Sequence, residues 1–268
     1  MRVLGIETAT ESGSVAVVGP EGTLAERSWR VPGAHLESLV PAIGDLLTSV
    51  GLTRADIEGV AVSIGPGGFT GLRIGVATAA AWAHVMRRPL AAVPTLEAIA
   101  AGVAGVGSIL AVMDARRGQV ATALFERERG ATAVTRLTED LFLPAEAIRD
   151  RLERLPGGVI VAGDALERHA AVLLAALGPD AVVAPRHQWW PRAAVTGWLG
   201  RARLVRGELA DPIGLVPRYT HRSVAREFQA PRGDRGTLAR GPERDSRDAD
   251  PQAEGGLRGS RSRASVSS

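Results

Sequence analysis

The sequence predicts an α/β fold in two lobes, followed by a polar C-terminal tail. Three patterns carry that expectation. Residues 2–31 hold three short apolar runs separated by the turns Thr10-Glu11-Ser12-Gly13 and Gly19-Pro20-Glu21-Gly22, the signature of an antiparallel meander. Residues 59–86 join an apolar run to a long Ala-rich segment through a Gly/Pro turn, a strand–loop–helix unit. Residues 108–125 repeat the strand–turn–strand opening of the meander in pattern only, which hints at a duplicated architecture.

Taken in order, residues 2–7, 14–18 and 24–31 read as strands. Residues 35–51 form the clearest amphipathic helix, with Leu36, Leu39, Val40, Ile43, Leu46, Leu47 and Val50 at helical spacing. Pro41 lies inside this pattern and should kink the helix or delay its start. Residues 59–64 read as a strand and 72–86 as a helix, with Thr70 the expected N-cap. That helix is apolar nearly all round, and Gly71, Gly75, Ala79 and Ala83 make a small-residue row at four-residue spacing. Such a row either admits another helix at close range or packs inside its own chain, and the pattern leaves both open.

Residues 89–93 read as a strand and 95–104 as a helix capped by Thr95; Gly102, Gly105 and Gly107 then mark a lobe boundary. Strands follow at 108–113 and 120–125, a helix at 144–155, a strand at 158–163, and helices at 164–177 and 191–206. The chain thus divides into a first lobe over 1–104, a second over 105–222 and a tail over 223–268. The tail is rich in Arg, Gly and Ser, and over residues 229–268 its larger aliphatics are Leu238, Leu257 and Val266. That is too little apolar surface to offset the entropy of ordering, so the tail is expected to be disordered.

Composition excludes several chemistries. With Cys and Lys both absent, there are no disulfides, thiol nucleophiles, Cys-ligated zinc, Schiff bases or lysine phosphate clamps. The pI near 10.6 suggests nucleic-acid binding, but little titrates between His and Arg here, so a small charge excess is enough to raise it. Charges balance up to residue 220 and the basic excess lies in the tail, so bulk charge names no partner. The N-terminal apolar run is too short for a signal peptide, and no apolar run reaches about 18 residues. No membrane segment and a cytoplasmic location are expected.

The glycine loop is the main candidate for chemistry. Gly65, Gly67, Gly68 and Gly71 permit close approach of a backbone or ligand, and the helix-start amides with Thr70 and Arg73 could hold an anion. The same residues also read simply as a tight turn. The loop lacks the Lys of a Walker A motif, and its third glycine falls one place late for G-x-G-x-x-G. Asp114 and Arg116 read either as site residues or as a hairpin ion pair, and Trp189, Trp190 and Trp198 either as a base-stacking cluster or as core. No catalytic residue and no metal site are expected.

The run Gly65-Pro66-Gly67-Gly68-Phe69-Thr70-Gly71-Leu72-Arg73-Ile74-Gly75 closely resembles the G-P-G-S-F-T-G-L-R-I-G signature of the TsaB (YeaZ-type) family, with Gly68 at the usual Ser position. Gly5-Ile6-Glu7-Thr8-Ala9-Thr10 is similar to the family's G/A-I-D-T-A-T, residues 114–120 to D-A-R-x-G-E-V with Gln119 for Glu, and residues 211–219 to its closing P-x-Y segment. The resemblance covers residues 1–219 and implies a two-lobed actin/Hsp70-like (ASKHA) fold without the usual nucleotide equipment. In that fold the acid at position 7 helps to hold a metal–nucleotide; here Glu7 replaces Asp, and a solvated strand-end carboxylate is the expected reading. Related TsaD-type subunits carry H-x-x-x-H where this chain has His35 and Leu39, so the second metal ligand is missing.

The resemblance further implies a non-catalytic scaffold subunit in the synthesis of N6-threonylcarbamoyladenosine at position 37 of tRNA. Threonylcarbamoyl-AMP is the donor in that reaction and the adenine N6 the acceptor. A TsaD-type catalytic subunit and a TsaE-type ATPase would be partners, with self-pairing when the partner is absent and tRNA touched indirectly. ATP and metal are expected on the partner subunits, with no cofactor on this chain alone. The resemblance also tips the small-residue row toward an interface, placed on Leu36, Leu39 and Ile43 with Gly71, Gly75, Ala79 and Ala83. Three alternatives stand beside it. One is a stand-alone actin-like ATPase or kinase using residues 65–71 for phosphates and Glu7 for metal. Another is a peptidase-like protein, which the missing metal ligands argue against. The last is an RNA-binding module using the Trp cluster and the Arg tail.

Overall fold

A computed structural model of the chain describes residues 1–31, 33–151 and 158–219. Strands β1 (Val3–Glu7), β2 (Gly13–Gly19) and β3 (Gly22–Trp29) form the expected meander, with Val3 opposite Val18 and Glu7 opposite Ser14. β4 (Gly59–Gly65) and β5 (Leu90–Pro94) extend the sheet in parallel on the far side of β1, giving the order β3-β2-β1-β4-β5. β6 (Gly107–Asp114) and β7 (Gln119–Arg127) open a second sheet as an antiparallel pair. β8 (Thr135–Arg136) and β9 (Leu141–Pro144) pair with β7, while β10 (Ile160–Ala162) and β11 (Val182–Val183) follow in parallel beyond β6. With β9 as the third strand of the second sheet, both sheets run third-second-first-fourth-fifth. The duplication is therefore one of topology, and it is the two-lobed actin/Hsp70-like arrangement.

Among the described residues six α-helices cover the sheets: α1 (His35–Ser49), α2 (Phe69–Met86), α3 (Thr95–Gly102), α4 (Ile148–Arg151), α5 (Leu166–Leu177) and α6 (Ala193–Val205). Strand alternation decides which helix meets which face. Leu4, Ile6, Val60 and Val62 point to one side of the first sheet and bury Leu39, Ile43 and Leu47 of α1 with Val76, Ala79 and Ala83 of α2. Val3, Val18, Ala61 and Ala91 point to the other side and meet Leu204 and Trp198 of α6. α6 lies very close, because Gly5, Gly197 and Gly200 present no Cβ where the carbonyl of Ala193, Val18 and Ala61 press in. In the second sheet Ile109, Ala111 and Phe125 pack with Leu96 and Ile99 of α3, while Leu110, Val112 and Leu124 pack with Leu166, Leu173 and Leu177 of α5.

The two sheets fall on either side of the Gly102–Gly107 region, yet α6, from the range assigned to the second lobe, returns to the first sheet. Several local expectations are corrected. α2 starts at Phe69 with Gly68 as N-cap, so Thr70 lies inside the first turn. α3 has Pro94 at its N-cap, and the Thr95 hydroxyl instead accepts the Gly65 N–H at 3.1 Å. Pro41 neither delays nor stops α1, because it lies on the exposed side, where water can reach the carbonyl that a proline nitrogen leaves unpaired. The helix expected over 144–155 is a 3-10 turn at Ala145–Ala147 followed by the short α4, with 152–155 outside the described residues. The tail over 223–268 also lies outside them.

Candidate functional site

The glycine loop is used by the chain itself. Its Gly65 N–H is taken by Thr95, and the Gly68 N–H donates to the Ala9 carbonyl at 2.8 Å. Gly65 adopts φ +109, and a Cβ there would overlap the Arg218 backbone. The segment after α6 lies across the loop: Leu90 bridges Ala210, and the Arg218 N–H donates to the Ile64 carbonyl. Within this strap Tyr219 has its ring 4.8 Å from Phe69 and its hydroxyl accepting from Arg73 Nε at 3.0 Å. The Arg73 guanidinium also lies 3.9 Å from the centre of the Phe69 ring. The close backbone approach that the glycines permit is thus made to Ala9 and Arg218, and the cation expected for an anion is held by Phe69 and Tyr219.

Glu7 is not a solvated acid. It is fully buried on the α6 side of the first sheet, where its carboxylate accepts from Ser63 Oγ, Thr196 Oγ1 at 3.0 Å and the Ala9 N–H at 2.9 Å. Burial raises its pKa, and these hydrogen bonds pull the other way. His35 is likewise committed: Trp29 Nε1 donates to its Nδ1 at 3.2 Å, which leaves Nε2–H to donate to the Thr10 carbonyl at 2.8 Å. Among the described residues no group of three or more His, Asp or Glu is placed to hold a metal ion.

The small-residue row faces inward. Cβ atoms at Gly71 and Gly75 would overlap the carbonyl and hydroxyl of Thr8, and Thr8 Oγ1 donates to the Gly71 carbonyl at 2.8 Å. Ala79 and Ala83 are buried in the first core, as are Leu39 and Ile43. Six of the seven residues expected at an interface therefore pack within the chain. The exception is Leu36, which is 71% exposed. The outward side of the same two helices is the apolar one left open: Leu36, Val40 and Gly44 on α1, and Ala77, Ala81 and Val85 on α2, with Val85 74% exposed. Helix spacing could have found this stripe, since Ala77, Ala81 and Val85 repeat every four residues just as the buried row does.

In the second sheet, Asp114 does not form a hairpin pair with the Arg116 side chain. Its carboxylate accepts the Arg116 N–H at 2.8 Å and lies 3.7 Å from Arg168 Nη1 and from His169 Nε2 of α5. Asp164, which sequence reasoning passed over, accepts the Asp114 N–H at 3.0 Å. Its pKa is pushed up to about 7, first by burial, then by the negative charges of Asp114, Glu167 and Glu11. The sequence signal for it was the strand–Gly163–Asp164–helix junction, where Gly163 takes φ +143 against the backbone of Val112. Trp189 packs between the two second-sheet cores with Nε1 donating to the Ala184 carbonyl at 2.7 Å, and Trp198 packs on the first sheet. All three tryptophans are half-buried, and Trp190 is the one that lines a cleft.

This pattern of commitments has relatives. The family model described as TsaD, tRNA N6-adenosine threonylcarbamoyltransferase, matches residues 30–165. The Bacillus subtilis tRNA threonylcarbamoyladenosine biosynthesis protein TsaB is 30% identical over 82% of this chain and 93% of its own length. The chain belongs to the TsaB (YeaZ-type) family. The Escherichia coli TsaB is 35% identical over 61% of this chain and 71% of its own. In fold, YeaZ from Pseudomonas aeruginosa matches 81% of this chain and 99% of that one with a TM-score of 0.70 at 24% identity. Set against the TsaB signature, Gly68 is the N-cap of α2, a position that both Gly and Ser favour, so the one departure in the motif is conformationally neutral. Among the described residues no helix is long and apolar enough to cross a membrane.

Proposed function

We propose that this chain is a non-catalytic scaffold subunit in the synthesis of N6-threonylcarbamoyladenosine in tRNA, pairing with a TsaD-type catalytic subunit. The observation that carries the reading is the open apolar face of α1 and α2, on a chain whose nucleotide-type groups are occupied internally. Leu36, Val40, Ala77, Ala81 and Val85 leave apolar surface in water that a partner would cover. Gly44 adds an approach point, since nothing lies within 4 Å of where its Cβ would stand. The family-model match makes a TsaD-type protein a relative of this chain. Two related lobes can pair through equivalent faces about an approximate two-fold axis, and a second copy of this chain would use the same face when the partner is absent. On this reading ATP and metal belong to the partner subunits, a TsaE-type ATPase joins the assembly, and the work is done in the cytoplasm.

The stand-alone ATPase or kinase reading finds less support. It needs the loop over 65–71 free for phosphates and Glu7 open to a metal ion, whereas the loop carries the strap and Glu7 is sealed under α6.

The test is co-purification of the full chain with its own organism's TsaD-type protein, comparing wild type with Val40→Arg and Ala81→Arg. Both positions are exposed, so each variant should melt within about 0.5 kcal/mol of wild type while losing the complex. Gly75→Leu is unsuitable as a probe, because its side chain would strike Thr8 inside the lobe. A complex that survives both arginines would place the contact elsewhere. A wild-type chain that never binds the partner but hydrolyses ATP alone would overturn the scaffold reading.

A further inference from the structure

Between the two lobes lies a cleft of about 300 Å³, clear of the strap, whose lining combines serines with the apolar surfaces of Trp190 and Pro191. Ser12, Ser14 and Ser28 form one side, from the β1–β2 turn and strands β2 and β3; His187, Trp190 and Arg192 form the other, from the segment between β11 and α6. Trp190 lies under two cations, with the Arg30 guanidinium 4.6 Å and the Arg186 guanidinium 5.9 Å from its ring centre.

The charges here are layered. Arg30 and Arg186 share one carboxylate, Glu167, at 2.7 and 2.9 Å, and Arg192 pairs with Glu26. The three arginine side chains are 44%, 69% and 56% exposed, whereas those of Glu167 and Glu26 are 26% and 9% exposed. Three cations therefore face water over two carboxylates that lie beneath, and the exposed His187 adds a fourth donor. The exposed acid beside this face is Glu11, next to Ser12. Such layering gives an outward positive field from a lobe whose net charge is near zero.

We propose that this cleft is a contact site for an RNA chain, seating one unpaired nucleotide with its base against Trp190 and the adjoining phosphates on Arg186 and Arg192. An indole flanked by guanidiniums is the platform on which bases of any identity stack. Serine hydroxyls both donate and accept, so they suit a base edge without selecting one. The choice of RNA over another polyanion rests on the tRNA-modification reading above. It also revises the expectation that tRNA is touched only indirectly.

The test uses the full chain and an unmodified tRNA transcript, with affinity followed by fluorescence anisotropy across a salt series. Trp190→Ala should weaken binding about 5- to 100-fold, and Trp190→Phe, which keeps a stacking face, should retain most of the affinity. Arg186→Gln leaves Glu167 paired with Arg30 and should lower the slope of log K against log salt by about 1. Ultraviolet cross-linking should map RNA to residues 186–192. Wild-type affinity in Trp190→Ala, or cross-links confined to residues 220–268, would overturn the proposal, and so would equal competition by AMP. Co-purification with the TsaD-type protein is read on the same preparations. A chain that keeps its partner but shows no Trp190-dependent RNA binding refutes this site alone, whereas a chain that never takes the partner refutes the scaffold reading.

Discussion

Asp164→Asn should make the protein more stable at pH 8 and leave it unchanged near pH 4. Asp164 holds its proton up to about pH 7 in the folded chain, against 3.8 for the ordinary side chain. The folded state therefore binds this proton more tightly than the unfolded state does. Below about pH 4 both states are protonated and the full contribution is present. As pH rises toward 7 the unfolded chain releases the proton first, and stability falls. A difference of about three pKa units corresponds to roughly 4 kcal/mol. That is an upper bound, because the residue keeps some contact with solvent. Asparagine retains an oxygen to accept the Asp114 N–H but carries no charge to be buried beside Asp114, Glu167 and Glu11. Glu7, whose pKa is also raised, adds a slope of the same sign to both proteins and cancels in the comparison. Urea denaturation at half-unit steps from pH 4 to 8.5 measures the difference directly. A mutant less stable than wild type at pH 8, or a difference that does not vary with pH, would refute the reasoning.

Two further outcomes follow from the first lobe. Gly75→Ala places a Cβ against Thr8 Oγ1, in a contact that the β1–β2 turn cannot relax without breaking the bond to the Gly71 carbonyl, and should cost about 1–3 kcal/mol in a thermal or urea melt. Glu7→Gln keeps an oxygen for Ser63 and Thr196 but turns its NH2 group toward the Ala9 N–H, and should melt between wild type and Glu7→Ala, which should lose about 2–4 kcal/mol by leaving two buried hydroxyls and that N–H without an acceptor; equal melts for the two variants would sink that account.

The meander, the strand–loop–helix unit and the duplicated hairpin could be read in sequence because each rests on local periodicity and turn chemistry. The missed strands β8 and β11 have two residues each and carry no period, and β9 has only four. The errors at the site share a different cause. The row Gly71, Gly75, Ala79 and Ala83 and the row Ala77, Ala81 and Val85 have the same spacing, and only the position of Thr8 decides which turns inward. The local sequence around Glu7 implies a solvated strand end; Thr196, far along the chain on α6, helps to bury and satisfy it. Likewise the Gly65 turn answers to Arg218, a partner that no window around the glycine loop contains. The tryptophans divided, with Trp189 and Trp198 packed against the cores and Trp190 at the cleft, because Trp189 and Trp190 leave the chain in different directions and Trp198 belongs to α6.

The return of α6 to the first sheet bears on how the chain is made. β5 is complete at Pro94, but the face carrying Val3, Val18, Ala61 and Ala91 gains its cover only when α6 ends at Val205. At about 5–20 residues per second, the roughly 110 intervening residues take on the order of 5–20 s to synthesise. For that interval the nascent first sheet stands with one apolar side open and Glu7 without Thr196. Release of the chain short of residue 205 would leave the first sheet permanently half-built, prone to association and to capture by chaperones. Completion of the first lobe thus waits on α6, which the chain reaches only after passing through the second sheet.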